Sequence, residues 1–174
     1  GVKEVPNLNI ENHFFELIVP AINYYFLERN LYLLYPNYYP HFVLTIDSLT
    51  LKLEGIIKLL CKIFEIETKE TNDNNIVQDK SLNKLLDNEK LIEKMGQNNI
   101  FFLKYLLIDN CGLNIRNEAV HSLLALNEYN YVNATLLLVA LLRLCKYNWI
   151  VILIEFTRVI SFANFKYLEK YIIK

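Results

Sequence analysis

Apolar residues recur three and four positions apart along most of this chain, the spacing that lines one face of an α-helix. Asn9 to Leu34 follows this rule, and Pro20 is expected to split the stretch into two helices or to kink it. Pro36 ends the run. The segment Tyr35-Pro36-Asn37-Tyr38-Tyr39-Pro40-His41 reads as a loop, because two prolines remove donors and push their preceding residues away from helical geometry. Its tyrosines have the chemistry to stack bases, but packing against a helical bundle is the stronger expectation. From Val43 to Ile66, the residues Leu44, Leu51, Ile56, Leu59, Leu60, Ile63 and Phe64 predict a long amphipathic helix with Asp47 or Ser48 as its cap.

Beyond it, Thr68 to Asp79 is too polar to support a packed element and reads as an exposed loop. Short helices are expected after Ser81 and from Glu89 to about Met95, where Gly96 interrupts. Ile100 to Ile108 predicts a strongly apolar helix, closing at Asn110-Cys111-Gly112. A further helix is expected from an Asn114 N-cap to about Leu126, and another from Tyr131 to Lys146. A last apolar helix begins at Trp149, followed by a Lys/Tyr-rich tail. No strand-period alternation appears. The expectation is an all-α fold, an up-and-down antiparallel helical bundle with additional short helices.

Composition changes this picture in two places. The chain has 174 residues and 53% hydrophobic content, enough for one domain with a real core and for some apolar surface to be covered by a partner. A formal charge of −1 gives no global pull toward nucleic acid, so a polyanion would need a local basic patch. Trp149 to Phe162 is the most membrane-like stretch, yet it spans only about 14 residues against the ~20 a spanning helix needs, and Glu155 and Arg158 interrupt it. No membrane partner is expected. Cys61, Cys111 and Cys145 are widely spaced and unpaired by motif, which fits a reducing cytoplasm better than a disulfide framework or a zinc site. Gly1 stands where a start methionine would, and the expectation is a single domain, residues 1–174, cut from a longer protein.

The candidate chemistry sits in Arg116-Asn117-Glu118-Ala119-Val120-His121, a guanidinium and an imidazole five positions apart in a chain with three histidines. On one helix, Asn117 and His121 share a face, while Arg116 lies about 140° around from His121 with a side chain long enough to swing back. Glu118 stands three residues before His121, within reach to tune it. A guanidinium neutralises phosphate oxygens, an imidazole moves a proton near neutral pH, and an amide orients either, so the set suits phosphodiester chemistry without a metal or other cofactor. Two copies of the helix related by a two-fold axis would place both residue types around one phosphate. The plainer alternative is a solvated helix edge. A metalloenzyme finds little support, since His13 and His41 lie far from His121 in the sequence.

RNEAVH, within GLNIRNEAVHSL, resembles the motif of the HEPN (higher eukaryotes and prokaryotes nucleotide-binding) superfamily, in which Arg and His stand four to six residues apart on an all-α bundle. It is most similar to the uncharacterised domain family marked by RNxxxHG. Leu51-Lys52-Leu53-Glu54-Gly55 and Leu136 to Leu144 add to the likeness, which spans roughly residues 40 to 146; Ser122 stands where the narrower family has glycine. The resemblance implies a metal-independent endoribonuclease, commonly a homodimer and often a toxin or antiphage effector held by an antitoxin or regulatory domain. It also implies that Arg116 binds the phosphate and stabilises developing charge, His121 acts as general base or acid, and Asn117 orients the phosphate or the imidazole. Glu118 is a supporting residue from the reading above. Inactive relatives serve as dimerisation or nucleotide- and RNA-binding modules, and that is the alternative expectation.

Overall fold

The computed structural model describes residues 9–72 and 75–147, with residues 9–16 as backbone alone. The expected all-α bundle is what it shows. Its helices are α1 (Asn9–Leu34), α2 (Val43–Ile63), α3 (Leu82–Leu86), α4 (Glu89–Met95), α5 (Gln97–Leu107), α6 (Ile115–Val120) and α7 (Tyr131–Cys145). A short hairpin, β1 (Lys69–Thr71) and β2 (Val77–Asp79), follows α2, and a 3-10 turn, Leu126–Glu128, precedes α7. The helix expected from Trp149 onward lies outside the described residues. No helix among the described residues is long and apolar enough to cross a membrane.

Helix α2 is the central element, packed against α1, α6 and α7. Its buried line is Ile46, Leu49, Leu53, Ile56, Ile57 and Leu60, with Thr45 and Thr50 completing the face. Leu103, Leu106 and Leu107 of α5 and Leu137, Leu141 and Leu144 of α7 close the same core. Each such side chain contributes roughly 1.5–3 kcal/mol by leaving water, so this apolar seam outweighs any single polar contact in the molecule. The sequence periodicity misassigned part of α2: Leu44 and Leu51 are 60% and 54% exposed, and threonines take inward positions instead.

Three other expectations are corrected. Helix α1 continues unbroken through Pro20, whose ring stands on an exposed position of the helix. Helix α2 begins directly at Val43 with Phe42, which carries no acceptor, at its N-cap, so Asp47 and Ser48 lie inside the helix and Asp47 accepts a hydrogen bond from Tyr129 Oη at 3.1 Å. The Thr68–Asp79 stretch is an antiparallel hairpin rather than a loop, with Lys69 opposite Asp79, Glu70 opposite Gln78 and Thr71 opposite Val77. Side chains fix that hairpin where apolar periodicity could not signal it. Lys58 reaches Asp79 at 3.1 Å, Lys84 reaches Glu70 at 2.8 Å, and Asn75 takes the left-handed conformation a tight reversal needs.

The tyrosine loop divides between the two roles its sequence suggested. Glu28, buried on α1, accepts hydrogen bonds from Tyr38 Oη at 2.8 Å and from the His41 amide at 2.6 Å, which pins the loop to the bundle. Tyr39 is left 82% exposed. Cys61 and Cys145 are buried free thiols, pushed up to about 11 and about 12 by burial, and Cys111 is exposed.

Candidate functional site

The motif helix is placed by the turn before it. Gly112 lies so close to α5 that a Cβ there would overlap the backbone carbonyl of Tyr105, and the next amide, Leu113 N–H, donates to that same carbonyl at 2.8 Å. Asn114 then takes the left-handed conformation (φ 48°), one of the few residue types that does so at modest cost. It stands at the N-cap position expected of it but does not cap with its side chain. Its amide instead accepts from Asn117 Nδ2 at 2.8 Å and donates to Glu118 Oε1 at 3.1 Å. Ile115 alone of α6 is fully buried.

Helix α6 is six residues long and stops at Val120, well short of the expected end near Leu126. His121 is its C-cap and Ser122 follows at φ 56°, so the chain turns left-handed straight after the imidazole. Two backbone bonds close the end: Ser122 N–H to Ala119 C=O at 3.1 Å and Leu123 N–H to Glu118 C=O at 2.8 Å. This bond pair terminates helices around a left-handed residue, usually glycine.

Arg116 projects toward α2. Its Nε and Nη2 lie 3.0 and 2.9 Å from Glu54 Oε2, and its Nη1 donates to Asn117 Oδ1 at 3.0 Å. Glu54 is the residue that motif reasoning missed as a partner. Its second oxygen is 3.2 Å from Lys58 Nζ, one helical turn along α2, so one carboxylate sits between two cations. The signal was present in the sequence as Glu54 and Lys58 at i,i+4 on the polar edge of α2, but nothing local told that this edge faces α6. A chain of polar contacts thus runs from Asp79 through Lys58, Glu54, Arg116 and Asn117 to Asn114 and Glu118.

His121 is exposed, and no described side chain hydrogen-bonds to its imidazole. Glu118, expected near His121, turns to Asn114. Within one protomer the structure therefore joins Arg116, Asn117 and Glu118 through Asn114, and leaves His121 at the open end of the same helix. The side chain of Arg116 keeps 26% of its surface accessible, and the remaining N–H bonds of its two terminal nitrogens are uncommitted among the described residues. Chemically, the arrangement offers a pre-oriented guanidinium edge, an amide beside it and a solvent-accessible imidazole about one helical turn away. Compared with family models, with curated proteins and with solved structures, the chain matches none.

Proposed function

We propose that this protein is a metal-independent endoribonuclease of HEPN type. In the reaction, His121 takes the proton of a ribose 2′-hydroxyl as that oxygen attacks the adjacent phosphorus. The O2′–P bond forms, the P–O5′ bond breaks, and the leaving 5′ oxygen takes a proton from solvent water, giving a 2′,3′-cyclic phosphate and a 5′-hydroxyl. Arg116 binds the phosphate and stabilises its developing charge, and Asn117 orients the guanidinium. Glu118 acts indirectly, by holding Asn114 in place.

The observation that carries this reading is the contrast within α6: its guanidinium is held in one orientation by Glu54, while its imidazole stands free in water. A purely structural Arg–Glu pair would leave His121 without a task. The test is incubation of the purified protein with a mixed RNA pool in EDTA, with product ends mapped chemically. Cleavage with cyclic phosphate ends is expected, and His121→Ala and Arg116→Ala each lower the rate by at least about 100-fold while the circular dichroism spectrum stays unchanged.

A second reading, a non-catalytic dimerisation or nucleotide/RNA-binding module, is favoured by charge. Around Arg116 and Lys58 stand Glu54, Glu118 and Asp79, which leave the site without a net positive field. Wild type, His121→Ala and Arg116→Ala that all leave the RNA intact would establish that reading and sink the nuclease.

A further inference from the structure

The end of α1 carries Leu31, Tyr32, Leu33, Leu34 and Tyr35, apolar or aromatic all the way round the helix, a pattern that normally means burial on every side. Here four of the five are exposed: Tyr32 by 51%, Leu33 by 64%, Leu34 by 66% and Tyr35 by 47%. Successive positions lie about 100° apart, so the exposure runs right round the axis. Tyr39, on the way back from the turn, is 82% exposed.

The cause is that α1 overhangs its neighbours. The ring of Tyr25 packs against Phe42, just before α2, and against Tyr131, the first residue of α7, with centroids 5.9 and 6.0 Å away. Both neighbours therefore begin at the level of Tyr25, while α1 continues to Leu34, about 14 Å further at 1.5 Å per residue. The chain then reverses through Pro36 and Asn37, and the return is tied to Glu28 by Tyr38 and the His41 amide, so the overhang is a finger fixed at its base. Its backbone is well satisfied: the Tyr35 and Tyr38 amides donate to the Leu31 and Tyr35 carbonyls at 3.0 Å each, and Pro36 and Pro40 have no N–H to bury. From Asn30 to Ile46 there is no Asp, Glu, Lys or Arg. The exposed side chains together present on the order of 600 Å² of largely apolar surface, at the upper end for the largest patch on a monomer.

A protein surface laid against a helix covers one side of it, whereas a finger that is apolar on every side is covered by a medium that closes round it. We propose that this finger inserts into the interface of a neutral, zwitterionic lipid surface. Leu33 and Leu34 enter the upper acyl region, and Tyr32, Tyr35 and Tyr39 sit at headgroup level, where a ring with a hydroxyl at its end satisfies both sides. The overhang is long enough for the roughly 5–10 Å to which interfacial segments sink, and the polar Asn37 at the turn keeps the insertion shallow. With no cluster of Lys or Arg on the finger, the attraction does not depend on anionic headgroups. Such contact takes no spanning helix, and it is independent of the nuclease reading.

The experiment is flotation of the full chain with phosphatidylcholine vesicles, at low and at high salt. Wild type is expected to float with the vesicles, to the same extent at both. Leu33→Ser combined with Leu34→Ser is expected to lower the partition at least about tenfold, and Tyr39→Ser to lower it less. Circular dichroism and the urea midpoint stay unchanged in all of them, since these side chains are exposed in the fold. Phe101→Ser, which removes an equally exposed ring on α5 outside the finger, is expected to float like wild type. Three results overturn the proposal. A wild type that stays behind when the vesicles float would leave the finger to a closed pocket on a protein partner. A partition untouched by the double serine change would put the lipid contact elsewhere in the chain. Flotation only with phosphatidylserine vesicles, lost at high salt, would make the attraction electrostatic.

Discussion

The seam between α2, α5 and α7 and the segment from Gly112 to Tyr129 are held together by opposite means. In the seam, Leu53, Ile57, Leu60, Leu103, Leu106, Leu137 and Leu144 are buried side by side, and no one contact decides the geometry. In the motif segment Ile115 is the one fully buried residue of α6, and position comes from a glycine that fits under a carbonyl, a left-handed asparagine and a carboxylate shared by two cations. The lesson is a division of labour: non-directional burial fixes the scaffold, while directional bonds fix the side chains that chemistry would use.

The sharpest way to break this comparison is to perturb each region once. Leu53→Ala, in the seam, should cost about 2–5 kcal/mol in chemical denaturation, with the slope unchanged. Glu54→Ala, one residue away on the polar edge, should cost about 1–2 kcal/mol, because it strands a partly buried guanidinium whose pairing is screened by its remaining exposure. Its larger effect should be on Arg116, read as a loss of RNA cleavage out of proportion to the loss of stability. Equal stability losses at the two positions would refute the proposed division.

Ser122→Gly tests the helix end. A non-glycine residue in the left-handed region costs roughly 1 kcal/mol, so glycine should raise the unfolding free energy by about that amount while leaving the solution mass unchanged. A drop in stability would mean that the serine hydroxyl contributes something the backbone bonds do not.

The smallest effect concerns the buried thiols. Alkylation of the native protein at neutral pH should add one label, at Cys111, and denaturation should release two more sites. Because burial raises the thiols of Cys61 and Cys145, the folded state retains protons that the unfolded chain releases. Their contribution to stability is complete below about pH 8.5, the unfolded thiol value, and declines as pH rises toward their folded values, by up to about 1.4 kcal/mol per pH unit for each thiol. Midpoints from urea unfolding at successive pH values would show this decline.

Much of the fold was legible because burial leaves a period in the sequence. Helices α3, α4, α5 and α7 fall close to the expected boundaries, each marked by an asparagine, serine or glycine at an end. The reading failed where position is set by something other than apolar spacing. Thr45 and Thr50 face inward while Leu44 and Leu51 face out, since the neighbours α1 and α6 decide which side of α2 is inside. The hairpin was illegible because lysine–carboxylate contacts with α2 and α3 hold it.

Spacing singles out Arg116, Asn117 and His121 as candidates, yet it says nothing of Glu54, which is 62 residues from Arg116 in the chain. The early end of α6 was equally hidden, because Ser122 is not a residue that announces a left-handed turn.

Ile115 is the one buried side chain of α6, with Ala119 partly buried beside it, and so thin an anchor has a dynamic corollary. Opening α6 exposes less hydrocarbon than opening α2 or α7, so it can detach and reseat while the bundle beneath it stays folded. Amide protons from Arg116 to His121 should then exchange with deuterium far sooner than those of α2 and α7, and anything that grips the segment from outside would slow them.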